Sequence, residues 1–433
     1  MNAVTSSIGE EPVAERDSEI AGRRLLILGG GLWQRDYVRR ARALGLETWV
    51  TDWHADAVAR DDADHFFPID LKDAAATLEL ARSARVDGVM TPADIGVTTV
   101  AYVASALGLP GPTPELARRS TNKLDMRRRA ADVGLAVPWF EPVRSVEAAF
   151  EMMTRHPGPI TAPVIVKPVD NCSSRGVCVV HDRAALESAV DAALTSSGEG
   201  TALVEQFLQG VEGSLEAFVQ AGEITILGVC DKTKSPLPDR YDLELRYPGA
   251  YSPAASRNLA AFIEHVVRGF EIADALLHVE FLIPYGTDEV FLTEFALRGC
   301  GSKVITHLLP QLTGIDVVRA TIRQALGLKT PLTATRQRHG ALHFLMFPSG
   351  RVAAVHGLEQ ARAVPGVIDV CVERVPGERI DPVHDGRSRP GHLLVHGRSR
   401  SDVQATIAAV RSAVRVEYDD HREAVPAILP AAI

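Results

Sequence analysis

The run RRLLILGGG at residues 23–31 constrains the fold more than any other stretch of this sequence. Its apolar core shows no alternation and closes on Gly29, Gly30 and Gly31, the pattern of a parallel strand covered on both faces. Parallel strands need crossover helices, and helix signals follow. Arg35 to Leu44 reads as a helix, ETWVTDW as a second strand, VDGVMTP as a third and Asp94 to Leu107 as another helix, before the connection LGLPGPTPE. This rhythm predicts a doubly wound α/β unit over residues 21–120, preceded by a polar, aperiodic tail over residues 1–20, with the fold itself starting at Arg23.

A chain of 433 residues with 46% hydrophobic content exceeds what one core usually accommodates, so further units are expected. From Thr121 the texture changes. Ser120 or Thr121 should cap a helix through LDMRRRAADVG, ending at Gly134. Then come the strand APVIVKPV, the small polar loop DNCSSRG, the strand VCVV, a helix near 182–195 and the strand ALVEQFL. SLEAFVQAGEITILGVCDK and HVEFLIPYGTDEVFLTEFALR read as hairpins, separated by a helix over 255–274 and followed by one over 314–326. We expect a second unit over 121–335, with a small lobe at about 155–210, and a closing α+β unit over 336–433.

The net charge of -9, with basic residues scattered, argues against nucleic-acid binding. No apolar run reaches the length of a membrane helix and the polar start lacks a signal-peptide core, so the expected location is cytoplasmic. The five cysteines form no CxxC or CxxH pattern, which suits reduced thiols rather than disulfides or zinc.

Several groups could carry chemistry. The glycine run with Asp52 beyond it invites a dinucleotide reading, but Leu32, Trp33 and Gln34 stand where the last fingerprint glycine belongs, so a structural or substrate-side turn competes. In the second hairpin, a turn centred on Thr287 puts Glu280 opposite Glu294, and their even spacing puts both on one face. Flanked by Phe281, Leu282, Leu292 and Phe295, such a pair calls for a cation; two solvated glutamates are the bland alternative. Lys167 ends a buried strand just before DNCSSRG, whose small residues could wrap an anion. Lys123 lies in the first turn of its helix, where a cation is disfavoured without an anion nearby.

Together these segments resemble the ATP-grasp superfamily, of the carboxylate-amine ligase type that includes amino-acid ligases. The resemblance rests on TNKLDMR, VIVKPVDNCSSRGV, VEQFLQGVEGS and EFLIPYGTDEVFLTEFALRG, and spans about residues 23–418. It implies the fold, α/β and α+β, with a Rossmann-like first lobe, central ATP-grasp lobes and a small closing unit. It implies that Lys123 and Lys167 hold phosphates, that Ser173, Ser174, Arg175 and Gly176 close over the triphosphate, and that Glu205, Gln206, Phe207 and Leu208 meet adenine, with Glu212 on the ribose. Glu280 and Glu294 would hold Mg2+, with Mn2+ as a substitute, while Arg298 and Lys167 would act on the transferring phosphoryl group.

The family's ExNxR reads Glu294, Phe295, Ala296, Leu297, Arg298 here, so the amide ligand is missing and water should replace it. The implied reaction turns a carboxylate into an acyl phosphate with ATP and passes it to an amine, with two small-molecule substrates and release of ADP and phosphate. The alternatives are a purine-type ribonucleotide carboxylase or formyltransferase, with the glycine run as phosphate cradle, and an ATP-binding module without turnover. The loop DKTKSPLPDRYDLELRYPGAYSP supplies Lys232 and Arg240 as substrate-binding candidates, joined by Arg257 and His307; a solvated connection is the alternative reading of that loop. A homodimer is the default assembly.

Overall fold

A computed structural model describes residues 16–155, 163–172, 175–237 and 240–427. In the first lobe β1 (Arg24–Leu28) lies between β2 (Glu47–Thr51) and β4 (Gly88–Met90), with β3 (His65–Phe67) beyond β2, all parallel. Alternation along β1 divides its side chains between two cores. Leu25 and Ile27 meet Tyr37, Val38 and Ala41 of the helix Arg35–Ala43. Leu26 and Leu28 meet Leu78, Ala81, Val100 and Val103 on the other face. That double cover is why the run had to be apolar throughout.

Among the helices that escaped the sequence reading, two flank or belong to this first lobe, and Val146–Arg155, Leu309–Thr313 and Leu358–Arg362 lie beyond it. Ala74–Ala84 starts at Asp73, whose carboxylate accepts the Ala76 N–H. Pro114–Thr121 lies within a stretch read as connection and turn; Thr113 caps it and Pro114 occupies the first turn, a normal helix start. The cap of the next helix, Lys123–Asp132, is also corrected: Asn122, not Ser120 or Thr121, accepts the Leu124 and Asp125 N–H groups. Packing begins before Arg23, because Asp17 is buried against Arg319 and Arg323, and Ile20 is fully buried.

The next lobe is an antiparallel sheet in the order β5-β8-β6-β7, from β5 (Phe140–Val143), β6 (Val164–Pro168), β7 (Cys178–Val180) and β8 (Ala202–Gln206). Helices Val146–Arg155 and Arg183–Ser196 bury Met152, Leu186, Val190 and Ala193 against Val164, Val166 and Val204.

The central sheet contains β9 (Gly210–Gln220), β10 (Glu223–Lys234), β11 (Asp242–Tyr247), β12 (Ala275–Pro284) and β13 (Phe291–Ala296). It does not stop there. The strands β14 (His339–Phe344), β16 (Val367–Val372) and β18 (Gly391–Gly397) continue it in the antiparallel order β13-β12-β9-β10-β11-β14-β18-β16. The closing segment thus shares hydrogen bonds with the central sheet. Its remaining strands, β15 (Gly350–His356), β17 (Arg379–Ile380), β19 (Arg415–Tyr418) and β20 (Glu423–Ala424), form a separate small sheet.

Candidate functional site

Two rows of side chains cross the end of the central sheet. Ser214 of β9 pairs with Glu280 of β12, which pairs with Glu294 of β13; beside them, Glu216 pairs with His278, which pairs with Ala296. Strand parity sends the intervening Leu215, Ala217, Val279, Phe281 and Phe295 to the opposite face, where they pack with Leu259, Phe262, Ile263 and Val266 of the helix Pro253–Gly269. The expected register is therefore present, although a bulge between Glu280 and Phe281 shifts the pairing toward the turn.

Both carboxylates meet ammonium groups. Lys123 Nζ lies 3.2 Å from Glu294 Oε1 and also donates to the carbonyl of Asn171. Glu294 is the anion that accommodates a cation in the first turn of that helix. Lys232 Nζ lies 2.8 Å from Glu280 Oε1 and 3.7 Å from Asp242 Oδ2. Burial would raise the Glu280 carboxyl, but Lys232 and His278 overcome it and hold it well below the usual range.

A second charged group lies where the small lobe meets the central sheet. Glu205, at the end of β8, is fully buried and accepts Lys167 Nζ at 2.5 Å and Arg127 Nε at 2.7 Å. Burial lowers the Lys167 ammonium to about 8, against the raising influence of Glu205. The sequence reading missed Arg127. It lies one turn beyond Lys123 on the same helix face, buried to 1% exposure, and its Nη2 also donates to the Thr293 carbonyl at 2.7 Å. The signal was the four-residue spacing from Lys123, obscured by the surrounding run of arginines.

Lys123, Arg127, Lys167, Glu205, Glu280 and Glu294 line one cleft together with Arg175, Gln206, Phe207, Leu208, Glu212, Lys234 and Arg240, whereas Lys232 lines a second pocket with Asp231, Thr233 and Arg246. Glu212 already accepts Lys234 Nζ at 3.1 Å and pairs with Arg240, so the carboxylate expected on a ribose is an ion-pair partner here. Gly176 does not line the cleft; its φ of +70° serves the turn before β7. Ser173 and Ser174 lie outside the described residues.

Three other expectations are corrected or moved. Arg257 is exposed on the helix Pro253–Gly269, on the side away from its buried residues. His307 does not line the cleft; its Nδ1 lies 3.5 Å from Asp36 Oδ2 of the first lobe and 2.7 Å from Thr306 Oγ1. Arg298 lines a different cavity of about 440 Å³, between Thr91, Pro92, Leu109, Gln220 and Gln324. Its Nε and Nη2 donate to Asp94 at 2.7 and 2.5 Å, a bidentate pair across the two lobes.

The glycine run has its own pocket, of about 460 Å³, which includes Gly29, Gly31, Asp52, Trp53, His54 and Asp56. None of its lining residues is a lysine or arginine. Gly29 has φ +108°, and the Gly30 N–H donates to Asp52 at 2.8 Å, so conformation and a local carboxylate account for these glycines.

Comparison with known proteins identifies the domains that carry this cleft. Residues 160–307 match the ATP-grasp domain, residues 38–111 the ATP-grasp N-terminal domain and residues 343–419 the L-amino acid ligase C-terminal domain 2. A formate-dependent phosphoribosylglycinamide formyltransferase of Bordetella avium is 25% identical over 375 residues, covering 82% of this chain and 87% of that protein. The L-amino acid ligase of Bacillus licheniformis superposes with a TM-score of 0.77 at 21% identity, covering 92% of this chain and 99% of that one. The N5-carboxyaminoimidazole ribonucleotide synthetase of Thermotoga maritima gives 0.70 at 18%, covering 92% and 100%. The chain belongs to the ATP-grasp proteins. Within that class it is an ATP-grasp ligase carrying the closing domain of the L-amino acid ligases. Among the described residues no helix is long and apolar enough to cross a membrane.

Proposed function

We propose that the chain binds ATP with Mg2+ in the cleft between the small lobe and the central sheet. There it activates the carboxylate of an amino acid as an acyl phosphate and joins it to the amino group of a second small molecule. The observation that carries this reading is the facing pair Glu280 and Glu294, with Lys123, Lys167 and Arg127 around the same cleft.

The carboxylates suit a divalent cation. Oxygen donors match Mg2+, and Lys232 and His278 both approach Glu280 at Oε1, so Oε2 would be the oxygen offered to an ion. Ala296 offers no donor, so water would complete the coordination. When bound, the ion draws negative charge from the phosphate oxygens. Lys123 and Lys167 would spread further charge over the phosphates, with Lys167 kept near its cation-binding partner Glu205 until nucleotide arrives. Gln206, Phe207 and Leu208 would face the base, and Asn171, Cys172, Arg175 and Val177 would shield the acyl phosphate from water. Arg298, across from Asp94, would meet the substrate carboxylate or its phosphate from the neighbouring cavity. The amine then attacks the acyl carbon, the bond to phosphate breaks, and phosphate leaves beside ADP.

The L-amino acid ligase C-terminal domain match favours amino-acid substrates. A phosphoribosyl substrate would need cations at the glycine run, where Asp52 and Asp56 line the pocket instead. Phosphate release should be screened over the amino acids, singly and in pairs, with product masses recorded. The reading requires ADP and a product equal to two substrates less water. Turnover only with an aminoribonucleotide plus bicarbonate or formate would replace it with the purine-type reaction.

A further inference from the structure

The row beside the carboxylate pair has no part in the reaction described above. Glu216 is fully buried on β9, and a buried carboxylate persists only when its oxygens are bonded. Both are. His278 Nδ1 lies 2.5 Å from Glu216 Oε1, and the Cys300 N–H donates to Glu216 Oε2 at 2.9 Å. The other ring nitrogen, His278 Nε2, lies 3.1 Å from Glu280 Oε1. On the far side of the ring, the cross-strand neighbour is Ala296, whose methyl group offers no bond to turn the imidazole away.

We propose that Glu216 and His278 form a positioning pair that fixes Glu280 for the divalent cation and, through Cys300, anchors the backbone next to Arg298. The proposal rests on the reading of Glu280 as an ion ligand. His278 and Lys232 both bond Oε1 of Glu280, so the carboxylate is turned and the other oxygen is kept for the ion. Glu216 sets the ring from behind. One buried carboxylate thereby couples two parts of the site, the hairpin carboxylates and the segment that follows β13. Support of this kind behind a ligand typically changes metal affinity by roughly 10–100-fold when removed.

Glu216, His278 and Cys300 bring ligand atoms within 4.8 Å of one another, so a metal held by those three is the competing account. Both nitrogens of His278 are already engaged by carboxylates, which favours the positioning pair.

The test is the dependence of ATP cleavage on Mg2+ concentration in H278N, H278Q, E216Q and E280Q, with the thermal midpoint of each. The shorter amide of H278N reaches the Glu216 side only, whereas H278Q extends to the position of Nε2. H278N should raise the half-saturating Mg2+ concentration by roughly 10–100-fold, with H278Q returning most of the loss and both variants unfolding at similar temperatures. E216Q, which keeps the shape of the side chain, should shift the Mg2+ requirement in the same direction; an unchanged requirement overturns the proposal even if H278N does not fold. Equal shifts in H278N and H278Q also overturn it, as does stoichiometric zinc in the purified wild-type protein. A rise in E280Q but none in H278N removes the positioning pair and leaves the ion-ligand reading standing. No change in E280Q removes the ion-ligand reading itself.

Discussion

The ATP-grasp cleft and the glycine-run pocket both lie beside strand ends, yet they are built from opposite materials. The cleft gathers Lys123, Arg127 and Lys167 around the buried Glu205 and the half-buried Glu294, each cation resting on a carboxylate that a phosphate could displace. The glycine-run pocket has backbone amides, and Asp52 accepts two of them, from Gly30 and His54; Asp56 adds a second acid. In this chain the lysines and arginines converge at the cleft and not at the glycines. Four predictions sharpen or break that contrast.

The largest effect is expected at Glu294. Glu294→Gln removes the charge of a proposed ion ligand without disturbing the core and should reduce turnover by roughly 10³-fold, with the thermal midpoint retained. Phosphate release near the wild-type rate would contradict the assignment. Next, Lys167→Ala should weaken ATP binding or transfer by roughly 10–10³-fold, read from single-turnover rates and ATP titration. Because the mutation also leaves Glu205 with Arg127 alone, its thermal midpoint should be measured alongside.

The third prediction concerns pH. Burial places the Lys167 ammonium near 8, and only the protonated form attracts the triphosphate. ATP bound there favours the proton, so affinity should be constant below pH 8 and should fall by up to about tenfold per unit above it. An ATP affinity flat from pH 7 to 9.5 would show that Lys167 does not face the phosphates. The smallest effect belongs to the other pocket. Trp53→Ala, at an exposed residue lining the glycine-run pocket, should alter turnover by less than about twofold. A large loss of activity there would make that pocket a substrate site and dissolve the contrast.

Much of the fold was legible because burial on both faces, or on one, leaves a periodic trace. The unbroken run of β1 gave the first sheet, and the parity of Glu280 and Glu294 gave their shared face. The helix Pro114–Thr121 was lost because its cap, Thr113 followed by Pro114, also reads as a turn. Contacts between segments far apart in sequence leave no local trace. Arg298 meets Asp94 across 204 residues of sequence, and Glu216 meets His278 across 62. Arg257 had only its charge to recommend it, and a charged residue on an amphipathic helix is normally solvated, as this one is.

The measurement closest to the central claim is ATP cleavage by the purified chain with Mg2+ and paired amino acids, followed by mass analysis of the products. The account predicts ADP and phosphate in equal amounts only when a suitable pair is present, with a product whose mass is that of the two amino acids less one water. Cleavage that ignores amino acids, or a product formed solely from an aminoribonucleotide, would contradict it.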